Sequence, residues 1–159
     1  MRKGREVREP EAENAPGLPP VDRASKQADQ QAIQQAWATL LTRADAIADS
    51  ITLALIEQEP AYLASPAPDI AVEIRRSTRE HIRQGLHTLS GAPAETDVTR
   101  EVWRRTGRER ARQEIPMELV LKAYTLGSRT LWEELMLERR RNSSVIDDRL
   151  LIIAGQQLW

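Results

Sequence analysis

From Ile33 onward the apolar positions Ile33, Trp37, Leu40, Ala44, Ile47, Ile51 and Leu55 follow alternating steps of three and four. That spacing puts all seven on one face of a single helix. Arg43, Asp45, Asp49 and Glu57 fall on the outward side. Ser25 is placed to cap the helix and Pro60 to stop it. A connector with Pro66 and Pro68 follows, and Asp69 is the expected cap of a second helix. Its stripe is Ile70, Ile74, Thr78, Ile82, Gly85 and Leu89, and the run Ser90 to Pro93 (SGAP) ends it.

A third helix is expected from a cap at Thr96 or Asp97 to about Gln113. Pro116 is read as the first helical position of a fourth, where its missing N–H costs nothing. This helix, Met117 to about Arg141, carries Val120, Tyr124, Gly127, Leu131 and Leu135 on one stripe. Leu119, Ala123, Leu126 and Thr130 lie beside it, so several neighbours should bury it. Asn142 to Ser144 form a turn and cap. A fifth helix begins near Val145 and is apolar nearly all round up to Trp159. Period-2 alternation with hairpin turns is missing. The expected fold is all-α, a single bundle of about five helices. Residues 1–23, with Pro10, Pro16, Pro19 and Pro20 among mixed charges, are expected to be a disordered tail ahead of a domain at 24–159.

Composition narrows the function classes. The chain has 159 residues, 40% hydrophobic, enough for one domain with its own core. Lys+Arg 23 against Asp+Glu 24 leave almost no net charge, which demands neither nucleic acid nor a membrane as partner. Cysteine is absent, which removes disulfides and thiolate metal sites. No apolar run is long enough to span a bilayer, and the charged N-terminus lacks a signal-peptide core, so the expected location is cytoplasmic.

Chemistry-bearing residues are few. Gly-rich phosphate loops, nucleophile elbows and inward carboxylate pairs are all missing, and the chain is not expected to be an enzyme. No cofactor or metal is expected either. His81 lies on the apolar side of its helix, but His87 is six residues on and off its face, so a satisfied core histidine is the expected role. Arg110 falls on the inward side of the third helix. A charge there needs a partner, and Asp45, Asp49, Glu57 and Glu118 are the candidates for a structural salt bridge. Arg129 has Glu133 at i+4. Arg100, Arg104, Arg108 and Arg112 recur every four residues as an outward ladder, read as a solvated face. Mid-helix Gly127 costs roughly 1 kcal/mol relative to alanine. With Gly85 it is expected to mark a close crossing of the second and fourth helices; a gap for a small ligand is the alternative. The pair of helices around Pro116 is not expected to read DNA, because docking the fourth in a major groove would strand its apolar face.

The segment GRERARQEIPMELVLKAYTLGSRTLWEEL, with ADSITLALIEQEPAYL and RRSTREHIRQGL upstream, resembles the RsbRD-type (RsbT co-antagonist) N-terminal helical domain. Such domains also stand at the front of actinobacterial PucR-like transcriptional regulators. The resemblance covers roughly residues 36 to 159. It carries over an architectural or signal-relaying seam at Arg110, Gln113, Pro116, Glu118, Tyr124, Gly127, Arg129 and Trp132. The family pattern has a glycine where this chain has Glu114. The resemblance implies a non-catalytic regulatory or sensory domain of a transcriptional or stress-response regulator, relaying a signal through helix contacts to protein partners, as a homodimer. It also implies that downstream domains are missing and that the domain is cut short at its C-terminal end. The alternative is a small-ligand or haem-type sensor of globin-like shape, using His81 or Tyr124.

Overall fold

The computed structural model describes residues 20–93, 96–142 and 146–158. Among these are six α-helices and no strand: α1 (Pro20–Leu41), α2 (Ala44–Gln58), α3 (Ile70–Leu89), α4 (Thr96–Arg112), α5 (Met117–Arg141) and α6 (Asp148–Gln156), with a 3-10 turn at Pro60–Ala64. Of the tail expected over 1–23, residues 1–19 lie outside the described part, and Pro20 already opens α1. Ser25 therefore sits inside a helix and is not its cap.

The long first helix of the sequence reading is two helices. At Thr42–Arg43 the chain leaves the α-helical ladder: the Thr42 hydroxyl donates to the Thr39 carbonyl (2.8 Å) and the Arg43 N–H to the Leu40 carbonyl (2.9 Å). Arg43 then reaches α5, to Glu134 (3.1 Å) and Glu138 (3.4 Å). The apolar stripe crosses the break without losing register, since Ile33, Trp37, Leu40, Ala44, Ile47, Ile51 and Leu55 are all buried. Two further boundaries differ. Pro116 occupies the cap position before α5. The last helix starts at Asp148, with the Asp147 side chain accepting from the Leu150 N–H (2.8 Å); the expected start at Val145 lies outside the described residues.

Helices α2 and α3 run antiparallel and are joined by charge. Asp49 accepts from both Arg75 (3.0 and 2.6 Å) and Arg79 (2.7 and 2.6 Å), and Asp45 from Arg83 (2.6 and 2.8 Å). These guanidinium hydrogen bonds hold the Asp49 carboxyl well below the usual carboxylate range. Helix α4 lies antiparallel along the other side of α3 through Gln84–Thr99 (2.7 Å), Arg105–Glu80 and Arg76–Glu109 (3.3 Å). The main core packs α1, α2, α3, α5 and α6 around Trp37, Leu86 and Leu135. A smaller core of Leu55, Tyr62, Ile70, Ile74, Ile115 and Leu119 sits at the Pro116 corner.

That corner is a Schellman turn. The Ile115 N–H bonds to the Arg110 carbonyl (3.0 Å) and the Glu114 N–H to the Ala111 carbonyl (3.1 Å). Glu114 adopts φ 58°, so this chain makes the left-handed turn with a glutamate in place of glycine. Two predictions follow from these joints. Glu114→Gly should relieve the left-handed penalty and stabilise the fold by about 1 kcal/mol in urea denaturation. Asp49→Asn should lower stability at neutral pH. Because the folded-state pKa of Asp49 is depressed, its contribution is complete above the unfolded value and fades as pH falls below about 4. Melting curves of wild type and variant should accordingly converge on acidification; a gap that persists at low pH would remove Asp49 protonation as its source.

Candidate functional site

The two cores do not meet. Between them lies a cavity of about 370 Å³. Its floor is α2, through Ile51 and Leu55; α3 and α5 form its sides and α4 its roof. The glycines decide its width. A Cβ built on Gly85 or on Gly127 would meet nothing within 4 Å, and both glycines face the cavity. The expected close crossing of these two helices at their glycines is thus corrected: the missing side chains keep space open instead of letting backbones touch. The close approach occurs elsewhere, at Gly155 in α6, where a Cβ would lie 2.5 Å from the ring of Trp132.

Arg110 enters the cavity from the last turn of α4 and is only 6% exposed. The expected salt bridge is absent, since no carboxylate among the described residues lies within 4 Å of its guanidinium. Asp45 and Asp49 are held by the arginines of α3, Glu118 pairs with Lys122 on the surface (3.5 Å), and Glu57 is exposed. The guanidinium instead donates to the Gln113 side-chain oxygen (2.5 Å) and to the Ser77 hydroxyl. Burial pulls its pKa down, against weaker support from Tyr62, Glu109 and Glu73. A guanidinium keeps its proton even so, and the cavity therefore holds a buried positive charge whose direct contacts are neutral dipoles, Glu109 and Glu73 acting on it only from beyond 4 Å.

Aromatic side chains line the cavity next to it. Trp103 and Tyr124 stack with centroids 5.3 Å apart and planes 7° from parallel, and both are partly exposed. His81 packs edge-on against them at 5.1 and 6.0 Å. Its Nδ1 lies 2.8 Å from the Ser77 carbonyl, an obligate acceptor, so Nδ1 carries the proton and Nε2 the lone pair. Nε2 is buried without a hydrogen-bond partner, so the expected satisfied core histidine is satisfied at one nitrogen only. Burial lowers the His81 pKa and keeps the ring neutral. An iron on Nε2 would need open space beside that atom, and protein atoms seal it. Among the described residues no group of three potential metal ligands converges.

The residues singled out from the sequence separate into three places. Arg110, Tyr124, Gly127 and His81 line the cavity, with Gln113 holding Arg110. Trp132 lies at the α5–α6 crossing. Glu118 and Arg129 are on the surface, Arg129 paired with Glu133 (2.9 Å) as its spacing implied, and Pro116 caps α5. Tyr62, in the segment read as a bare connector, was missed. It is buried, its hydroxyl donates to the Leu119 carbonyl (2.6 Å), and burial pushes its pKa up to about 12. A lone tyrosine two residues after Pro60 gave no periodic signal.

The sequence model of the family described as the RsbT co-antagonist protein rsbRD N-terminal domain matches residues 45–159. The chain belongs to this family. The match begins at the start of α2 and spans every helix that builds the cavity. It is a family of regulatory domains. Comparison with curated proteins and with solved structures returns no match. No described helix is long and apolar enough to cross a membrane.

The two kinds of glycine predict opposite outcomes. Gly127→Ala meets no neighbour and should stabilise α5 by about 1 kcal/mol. Gly155→Ala drives a methyl into the Trp132 ring and should cost about 1–2 kcal/mol despite better helix propensity. Denaturant midpoints check both; equal shifts would show that these positions do not differ in surrounding space.

Proposed function

We propose that the chain is a non-catalytic sensory domain of a transcriptional or stress-response regulator, in which the state of the cavity is passed outward through α6. One observation carries this: Gln157 and Leu158, directly after α6, form part of the cavity wall. This segment and α6 are tied to two helices, α1 and α5. Gln157 accepts a hydrogen bond from the Trp37 indole of α1 (2.9 Å), the Ser128 hydroxyl of α5 bonds the Leu158 carbonyl (3.4 Å), and Arg139 of α5 pairs with Asp148 (2.6 Å). Whatever swells or fills the cavity pushes on this segment, and the Trp132–Gly155 contact has no slack to absorb the push.

Exposed Ile152 on α6 and exposed Met117 and Leu121 on α5 offer apolar contact points for a protein partner, a second copy of the chain included. The seam named from the family pattern thereby acquires a division of labour. Arg110, Gln113, Tyr124 and Gly127 shape the input, and Trp132 couples it to α6. Within the alternative of a small-ligand or haem sensor, the cavity favours the small ligand, and the sealed Nε2 of His81 disfavours haem.

Filling the cavity from inside tests the relay. Gly127→Leu, with Gly85→Leu as an independent second plug, should change amide hydrogen exchange in residues 148–158 while α2 amides keep wild-type protection. If either plug leaves 148–158 unchanged in a folded protein, α6 does not read the cavity.

A further inference from the structure

The chemistry of the cavity wall defines its occupant more closely than the regulatory role does. We propose that this cavity binds an elongated apolar monocarboxylate, the carboxylate on Arg110 and the apolar body in the gap between Gly85 and Gly127. The proposal rests on the cavity being the input site of the sensory domain; it does not depend on α6 as the output.

Three observations converge on that class. The first is charge. Arg110 is the one cationic side chain on the wall, His81 being held neutral by burial, and no carboxylate of the described chain lies within 4 Å of it. Removing a cation from water with no anion in contact is costly, and a ligand carboxylate supplies that contact with paired charge-assisted hydrogen bonds. A guanidinium has five N–H donors, so those given to Gln113 and Ser77 leave others to offer. A single buried charge matches a monoanion; a phosphate dianion would bring a second charge with nothing to meet it. The second observation is lining. Away from Arg110 the wall is made by Ile51, Ile82, Leu89, Ala123 and Leu131, with threonines between them, which suits an apolar body. The third is shape. The residues of α3 that line the cavity run from Ile74 to Leu89, about 22 Å at the helical rise. At about 30 Å³ per water-sized group, its 370 Å³ takes roughly a dozen non-hydrogen atoms. A space drawn out along α3, with its one charge at the Ser77 end, suits a medium-length acid better than a compact ring system. Gly127 explains itself on the same terms: any larger side chain would occupy the ligand's path, which is what the helix gains for tolerating a glycine in its middle.

The test titrates the full chain calorimetrically with decanoate below its micelle concentration, beside 1-decanol and decyltrimethylammonium as neutral and cationic counterparts. Decanoate should bind saturably at about one per chain, and decanol about tenfold or more weakly, since a hydrogen-bonded charge is lost. The cation should not bind. Arg110→Met should erase the preference for decanoate over decanol. Gly127→Leu should abolish binding of both. Decanol binding as tightly as decanoate would overturn the Arg110 anchor. Undiminished binding in folded Gly127→Leu would place the ligand outside the cavity, and failure of decanoate to bind wild type would end the proposal. Should Arg110→Met not fold, the decanol comparison and Gly127→Leu still decide. Decanoate binding with unaltered exchange in residues 148–158 would keep the site and remove the relay.

Discussion

A buried guanidinium with no anion in contact is the constraint around which this domain is arranged. Arg110 cannot shed its proton at ordinary pH, and Gln113 and Ser77 hold its guanidinium in the cavity while the Schellman turn fixes the backbone at the end of α4. The carboxylates that could neutralise it are committed elsewhere. Asp49 lies between Arg75 and Arg79, Asp45 holds Arg83, and Glu109 faces Arg76. Those same ion pairs clamp α3 between α2 and α4, which stops α3 from closing on α5. The charge and the gap are therefore two results of one packing arrangement. Burying an unpaired cation is unfavourable, and the bundle tolerates it because two larger cores on either side supply the hydrophobic stabilisation.

Much of the fold was legible from period alone. The stripe from Ile33 to Leu55 is buried at every position, and α3 starts and stops beside Asp69 and Ser90, although the Asp69 side chain makes no capping hydrogen bond and Pro116 stands one position before the start of α5. The break at Thr42–Arg43 was not legible, since no glycine or proline marks it and the apolar register runs straight through. Its stabilisation comes from Arg43 reaching Glu134 and Glu138, contacts more than ninety residues away in sequence that no local pattern encodes.

The site was legible in its parts and misread in its relations. That Arg110 points inward followed from the helical wheel, and so did the placing of Gly85 and Gly127 on apolar stripes. Whether a buried glycine marks contact or space depends on the neighbouring helix, and one helix's sequence does not carry that. Gly155 shows the same ambiguity reversed, a contact glycine at a place where the pattern offered only an apolar run. The pairing of Arg110 was misjudged for a related reason. Asp45 and Asp49 are at the right height on α2, but three arginines on α3 compete for two carboxylates, and a helix packed directly against α2 reaches them first.

Helix α6 then follows from what α5 leaves uncovered. Leu131 and Leu135 of α5 belong to the main core, and Trp132 between them turns toward Gly155. A tryptophan ring pressed on a bare Cα fixes the spacing of α5 and α6 more tightly than a pair of branched side chains could, because it leaves no rotamer to yield. One turn before Trp132, Ser128 meets Leu158, and beside it Gly127 opens the cavity. Within two turns of α5 the same helix is thus loose on the side facing α3 and rigid on the side facing α6. A domain that served only as a spacer would gain stability by an alanine at position 127, where the geometry leaves room for one. Keeping a glycine there sacrifices helix stability for internal volume, and Gln157 and Leu158, directly after α6, form part of the wall of that volume.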